Sequence, residues 1–173
     1  MAAKEKNPAK EHYQRLRRLS CDELWNREVV VFDRADELER VSLVAVVRAV
    51  GVVFSESGSA SQKNQAREWL RRLLNDPQEK VRRYAMTALP KLGASSEEEK
   101  DLLGMLEKTV SDREKKHLGQ ALEKIGGAAT VAHARMYAGL ARTVQKAQAN
   151  IARFDESGSI SFEAELSHRD AFL

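Results

Sequence analysis

Arg83, Lys91, Lys115, Lys116 and Lys124 are the residues whose type and spacing most suggest chemistry, and that chemistry is charge neutralisation. They recur on two successive amphipathic stretches, where a row of cations can follow a phosphate backbone and displace its counterions. Arg67, Arg71 and Arg72 lie on the stretch before them. Glu79, Glu114 and Glu123 are interleaved among these cations, as on an ordinary solvated face. Nothing comparable supports a reaction. His12, His117, His133 and His168 are distant in sequence from one another and from Cys21, so no close metal-ligand pair is present. Cys21 precedes Asp22 and Glu23, whose charges oppose thiolate formation and disfavour a nucleophile. Neither Gly-x-Gly-x-x-Gly nor a Walker-type loop occurs. The expectation is no enzyme, no metal and no cofactor.

These cations need rigid elements to position them, and the composition says which kind. A chain of 173 residues with 42% hydrophobic and 32% charged residues suits one core under a heavily charged surface. Three prolines, nine glycines and few aromatics fit helices better than sheet. The longest apolar run, Val41 to Phe54, is broken by Arg48, so no membrane span is expected. Met1 to Pro8 shows no apolar run after its charges, and a single cysteine fits a reducing compartment. A cytoplasmic protein is the expectation.

The best-marked element is residues 76–93. Asn75 or Asp76 is the expected N-cap, Pro77 sits in the first turn, and Gly93 ends the helix in a left-handed conformation. Val81, Tyr84, Ala85, Ala88, Leu89 and Leu92 form one apolar stripe, and Pro90 should bend the last turn. Upstream, Ala66, Trp69, Leu70, Leu73 and Leu74 give the face of a preceding helix, completing a hairpin. Sliding this register back by 43 residues sets Asp33 against Asp76, Leu38 against Val81 and Ala45 against Ala88. Leu24 to Phe32 then becomes a helix, although Val29 to Phe32 alone would suit a buried strand. Sliding forward by 33 sets Ala121 to Gly126 against Ala88 to Gly93, and Ser95 or Ser96 with Glu98 or Glu99 offers capping boxes. Three hairpins emerge over 22–53, 61–93 and 96–127, with Ser55 to Ser61 as a flexible link.

The pattern Asp-Pro…Val-Arg…Ala…Ala-Leu…Leu-Gly at residues 76–93 resembles the second helix of a HEAT-type repeat. The likeness is strong for 61–93, fair for 96–127 and weak for 22–53. The third repeat has Lys115 and Lys116 in place of Val-Arg, and the first has Glu39 where the arginine would lie. The resemblance implies an all-α, right-handed α-solenoid of about three HEAT-like hairpins with flanking N- and C-terminal helices. It also implies that Arg82 pairs with neighbouring aspartates as a ladder, and that second helices line a concave surface. It implies no particular activity.

The flanks divide the chain further. Residues 1–21 form a basic segment with a helix over Ala9 to Leu19, 22–127 hold the repeats, 128–154 a long capping helix, and 155–173 an acidic tail. His133, Tyr137, Leu140, Val144, Ala147, Ile151 and Phe154 form a heptad-like seam, read as capping the last hairpin rather than joining two chains, so a monomer is expected. Ile160, Phe162, Ala164 and Leu166 alternate with polar residues as a short strand would. Trp25 and Trp69 fall in first helices, where rings beside basic residues can stack on bases, but Trp69 fits the apolar stripe and is assigned to the core. The first expectation is a scaffold that binds a protein partner through its concave face. The runner-up is an RNA- or DNA-binding accessory module, the N-terminal part of a larger nucleic-acid-modifying enzyme.

Overall fold

The computed structural model describes residues 7–133, and among these every regular element is helical. Residues up to Gly127 form one compact unit; a further helical stretch starts at 128 in the next. The heptad seam beyond His133 and the strand-period tail lie outside the described residues.

Helix α1 (Pro8–Arg17) starts on Asn7, whose side chain accepts from Ala9 N. Helix α2 begins at Ser20, whose hydroxyl caps Glu23 N, and runs through Cys21–Glu23, a π-helical stretch Leu24–Val29 and Val30–Arg34. The π-turn has a packing reason: Leu24 and Val29, five residues apart, are both buried, which an α-helical repeat would not align. The Val29 to Phe32 run is thus helical. Asp33, expected to open the next helix, instead lies in the last turn of α2. The N-cap is Asp36, which receives Glu39 N and starts the short helix α3 (Glu37–Ser42).

Helix α4 (Val44–Ser57) follows at once and takes in the start of the expected link, Ser55 to Ser57. Ser55 hydrogen-bonds back to Val52 O, which keeps the chain helical through residues expected to be flexible. Only Gly58 and Ser59 separate α4 from α5 (Ala60–Leu73), because Ser59 and Gln62 form a reciprocal capping box. Helix α6 (Glu79–Ala88) begins on Gln78 rather than on Asn75 or Asp76; Asp76 fixes the turn by accepting from Gln78 N. Pro90 tightens its end into a 3-10 turn, Leu89–Leu92, and Gly93 stops it at φ 73°. Ser95 and Glu98 make the capping box of α7 (Ser96–Lys108), and Ser111 caps α8 (Asp112–Ile125), which ends at Gly126 with φ 62°.

The helices pack in two rows. Along one, α1 lies on α4, α4 on α6 and α6 on α8; along the other, α5 covers α4 and α6, and α7 covers α8. The centre is aromatic: Trp25 meets Phe54 and Trp69 at 5.9 and 6.1 Å, and Phe32 meets Trp69 edge-on at 5.5 Å. Trp69 is buried as expected, and its indole N–H donates to Asp33 at 2.9 Å. Under α7 and α8 the core thins to Leu102, Leu118, Ala121 and Leu122.

Arginines tie hairpin to hairpin. Arg82 pairs with Glu114 at 2.8 Å and also donates to the carbonyls of Asp76 and Pro77. Arg40 repeats this arrangement: it pairs with Asp76 at 3.0 Å and donates to Ala35 O. Arg40 and Arg82 each donate to a carbonyl five residues back, a likeness at a separation of 42 rather than the expected 43. That separation matches buried Val44, Val46, Val47 and Val50 to buried Met86, Ala88, Leu89 and Leu92. The expected pairing of Leu38 with Val81 fails, since Leu38 is 77% exposed and Val81 fully buried, and a separation of 42 also fails at that position by setting exposed Glu39 against Val81. On the other row, Arg71 reaches Asp101 at 2.8 Å and Glu97 at 3.4 Å.

Candidate functional site

The outer faces of α1, α4, α6 and α8 gather cations, of which Arg17 pairs with Glu56 and Arg83 stands near Glu79. On α6, the buried positions Val81, Ala85, Ala88 and Leu92 turn Arg83, Thr87 and Lys91 outward by helical geometry. On α4, Arg48 alone interrupts the apolar sequence, and it emerges on this same side. Arg48, Arg83, Tyr84, Thr87, Lys91 and His117 line a cavity of about 300 Å³ between α4, α6 and α8. A second cavity, of about 570 Å³ between α1, α4 and α6, is lined by Lys10, His12, Tyr13, Val41, Ala45, Lys80 and, again, Arg48 and Tyr84. No carboxylate lines either cavity.

Local contacts hold these groups in place. The Arg48 guanidinium lies 3.9 Å over the ring of Tyr13, which fixes it between the two cavities. Arg83 is half-buried, stands 3.8 Å from Glu79, and its Nε has no hydrogen-bond partner among the described residues. Glu79 itself accepts from Ser111 at 2.7 Å. His117 places Nδ1 2.8 Å from Arg113 O; a carbonyl only accepts, so that nitrogen carries hydrogen and Nε2 is left for a ligand. The ammonium of Lys91 is pushed below its ordinary pKa, first by desolvation and then by repulsion from Arg48, Lys124 and Arg17. Four cations from four helices therefore share one field, and of these Arg17 pairs with Glu56 at 3.8 Å.

Of the five residues singled out from sequence, Arg83 and Lys91 meet in one cavity, and Lys124 is near enough to act on Lys91. Lys115 and Lys116 line neither cavity. Helical geometry puts Lys115 roughly 160° around α8 from His117, on the flank away from α6. None of Arg48, Lys91, Lys115, Lys116 and Lys124 forms an ion pair with a described residue. Sequence reasoning missed Arg48, Arg17, His117 and Tyr84. The signal for Arg48 was present, since a lone arginine in a run of valines must find an exit from the core. The others needed the packing of α1 and α8 on their neighbours.

The opposite row is different. There Arg71 is paired with Asp101 and Glu97, and the depression it shares with Arg72, Lys100 and Lys108 also contains Glu68 and Asp101. Among the described residues, no three His, Cys, Asp or Glu side chains converge as a metal site requires, and no helix is long and apolar enough to cross a membrane. Cys21 is buried, and desolvation followed by Asp22 raises its thiol pKa. Comparison of the chain with protein-family models, with curated proteins and with solved structures finds no match in any of the three.

Proposed function

We propose that this chain is a non-enzymatic helical-repeat module, a HEAT-like α-solenoid, whose second-helix face binds a polyanion, with nucleic acid the partner the geometry favours. One observation carries the reading: two adjoining cavities on one face gather Lys10, Arg48, Lys80, Arg83, Lys91 and His117, and no carboxylate lines them. Arginines meet acids on both rows, Arg17 with Glu56 and Arg83 with Glu79 on this one, but here the acids stay out of the cavity linings, whereas Glu68 and Asp101 line the depression on the other row. The HEAT-like reading is supported by the recurring hairpins and by the Arg40–Asp76 and Arg82–Glu114 pairs that link them. It brings no catalytic constellation with it.

The test is binding of fluorescent RNA and DNA oligonucleotides across a salt series. The expected result is an affinity that falls steeply with salt, and a loss of binding in Arg83→Glu/Lys91→Glu with folding intact. Affinity that ignores salt, or none at low salt, would overturn the polyanion reading. A scaffold that binds a protein partner on the same face is the second reading. Val41 and Ala45, partly exposed in the larger cavity, favour it by offering an apolar seat for a peptide side chain.

A further inference from the structure

The two cavities share a wall. Tyr84 and Arg48 line both, so one aromatic ring and one guanidinium stand between two cationic spaces. On one side lie Arg83, Lys91 and His117; on the other lie Lys10 and Lys80. The Arg48 guanidinium is seated on the Tyr13 ring. Tyr84 is half-buried and, unlike Tyr13, has no cation over its ring among the described residues.

This layout selects among nucleic acids. Each cavity is a gap between neighbouring helices, and about 300 and 570 Å³ offer room for a nucleotide-sized group rather than for the width of a duplex. In a duplex the bases are stacked on each other and paired, so their faces are not offered to a side chain. A single strand can turn successive bases into successive spaces while its phosphates stay with the cations. An aromatic side chain between two such spaces then has a base to stack on. We infer that this face takes single-stranded nucleic acid, two consecutive nucleotides occupying the two cavities and a base stacking on Tyr84. The inference rests on the nucleic-acid reading of the same face.

Anisotropy titrations at one low salt concentration test it, using a mixed-sequence single strand and the duplex formed with its complement. The single strand is expected to bind at least about tenfold more tightly. Tyr84→Leu should weaken it about tenfold with the salt slope unchanged, while Tyr84→Phe keeps wild-type affinity. Lys91→Gln should instead reduce the slope by about 0.7, one phosphate contact in a single strand. Should Tyr84→Leu fail to fold, an oligothymidine carrying one 2-aminopurine, bound to the wild-type protein, gives the same answer through quenching of its fluorescence. Duplex binding as tight as single-strand binding would overturn the inference, as would a Tyr84→Leu variant of full affinity or an unquenched 2-aminopurine. Failure of both nucleic acids to bind would overturn the nucleic-acid reading beneath it.

Discussion

A Cβ built on Gly51 would lie 2.8 Å from the Cβ of Ala88 and 3.2 Å from its Cα, so α4 and α6 meet at van der Waals contact through these two residues. Gly51→Ala is therefore expected to destabilise the protein by about 1–3 kcal/mol through overpacking, outweighing the gain of about 1 kcal/mol that alanine brings to a helix interior. Gly104 and Gly119 are also helical, but an added Cβ meets nothing within 4 Å at either. Alanine there is expected to stabilise by about 0.5–1 kcal/mol. Urea midpoints decide it; a Gly51→Ala variant as stable as the parent would mean that the contact is loose.

Arg40 and Glu39 separate the two possible registers of the first hairpin. Arg40→Ala removes the partner of the buried Asp76 carboxylate and the donor to Ala35 O, and is expected to lower stability by about 2–3 kcal/mol. Glu39 is exposed, and Glu39→Ala should change stability by less than about 0.5 kcal/mol. The opposite ranking in chemical denaturation would restore the shift of 43.

Glu114 gives the protein part of its acid sensitivity. Its hydrogen bond from Arg82, opposed by burial and helped by Thr109, holds its pKa below the ordinary carboxylate value. A carboxylate depressed in the folded state stabilises above its unfolded pKa, and that stability is lost as pH falls through the folded pKa. Arg82→Met strands a charge whose side chain is 5% exposed, an expected loss of about 3 kcal/mol at neutral pH. The loss should shrink as pH falls and Glu114 protonates in the variant, where burial without Arg82 opposes its charge. Arg82→Met/Glu114→Leu should recover most of it. A thermal-melt series against pH gives the result, and a pH-independent deficit would point to the carbonyl bonds of Arg82 instead.

Lys91 should cost stability when the face is empty. Desolvation and the cations Arg48, Lys124 and Arg17 all oppose its charge, so Lys91→Met is expected to raise the melting temperature at low salt. Millimolar inorganic phosphate should raise the melting temperature of the parent and have less effect on the variant. A destabilised Lys91→Met would show that its aliphatic stem, rather than its charge, matters to the fold.

Lys115 and Lys91 should also part company in binding. Lys91→Glu is expected to reduce oligonucleotide affinity by more than about tenfold, and Lys115→Glu by less than about twofold. Equal losses would extend the binding face around α8.

Much of this was legible in the sequence where one residue type fits one local job. Gly93 was expected to be left-handed and is, Trp69 was expected in the core and is there, and of two overlapping capping boxes the one between Ser95 and Glu98 forms. Register was harder in the first hairpin, because Val41 to Phe54 is apolar almost throughout. A one-residue slide there still sets valine or alanine against alanine or leucine, so periodicity does not choose. Arg40 chooses, through bonds to Ala35 and Asp76 that only the folded turn brings within reach. The candidate site was half legible for a similar reason. Arg83 and Lys91 share a helix, and helical spacing predicts their common side. Arg48, His117 and Tyr84 join them only because α4 and α8 pack against α6.

The bonds of Arg40 and Arg82 carry a consequence for how the protein comes apart. Each arginine closes the turn of its own hairpin and grips an acid belonging to the next. Opening the α7–α8 hairpin releases Glu114 and so loosens the turn before α6, while opening the α2–α4 segment releases Asp76. Neighbours are thereby coupled, and melting should advance as a front from an end instead of starting at the centre. Amide exchange would record that front as a gradient, slowest around Trp69 and Ala88 and fastest along α7 and α8, where the buried core is thinnest.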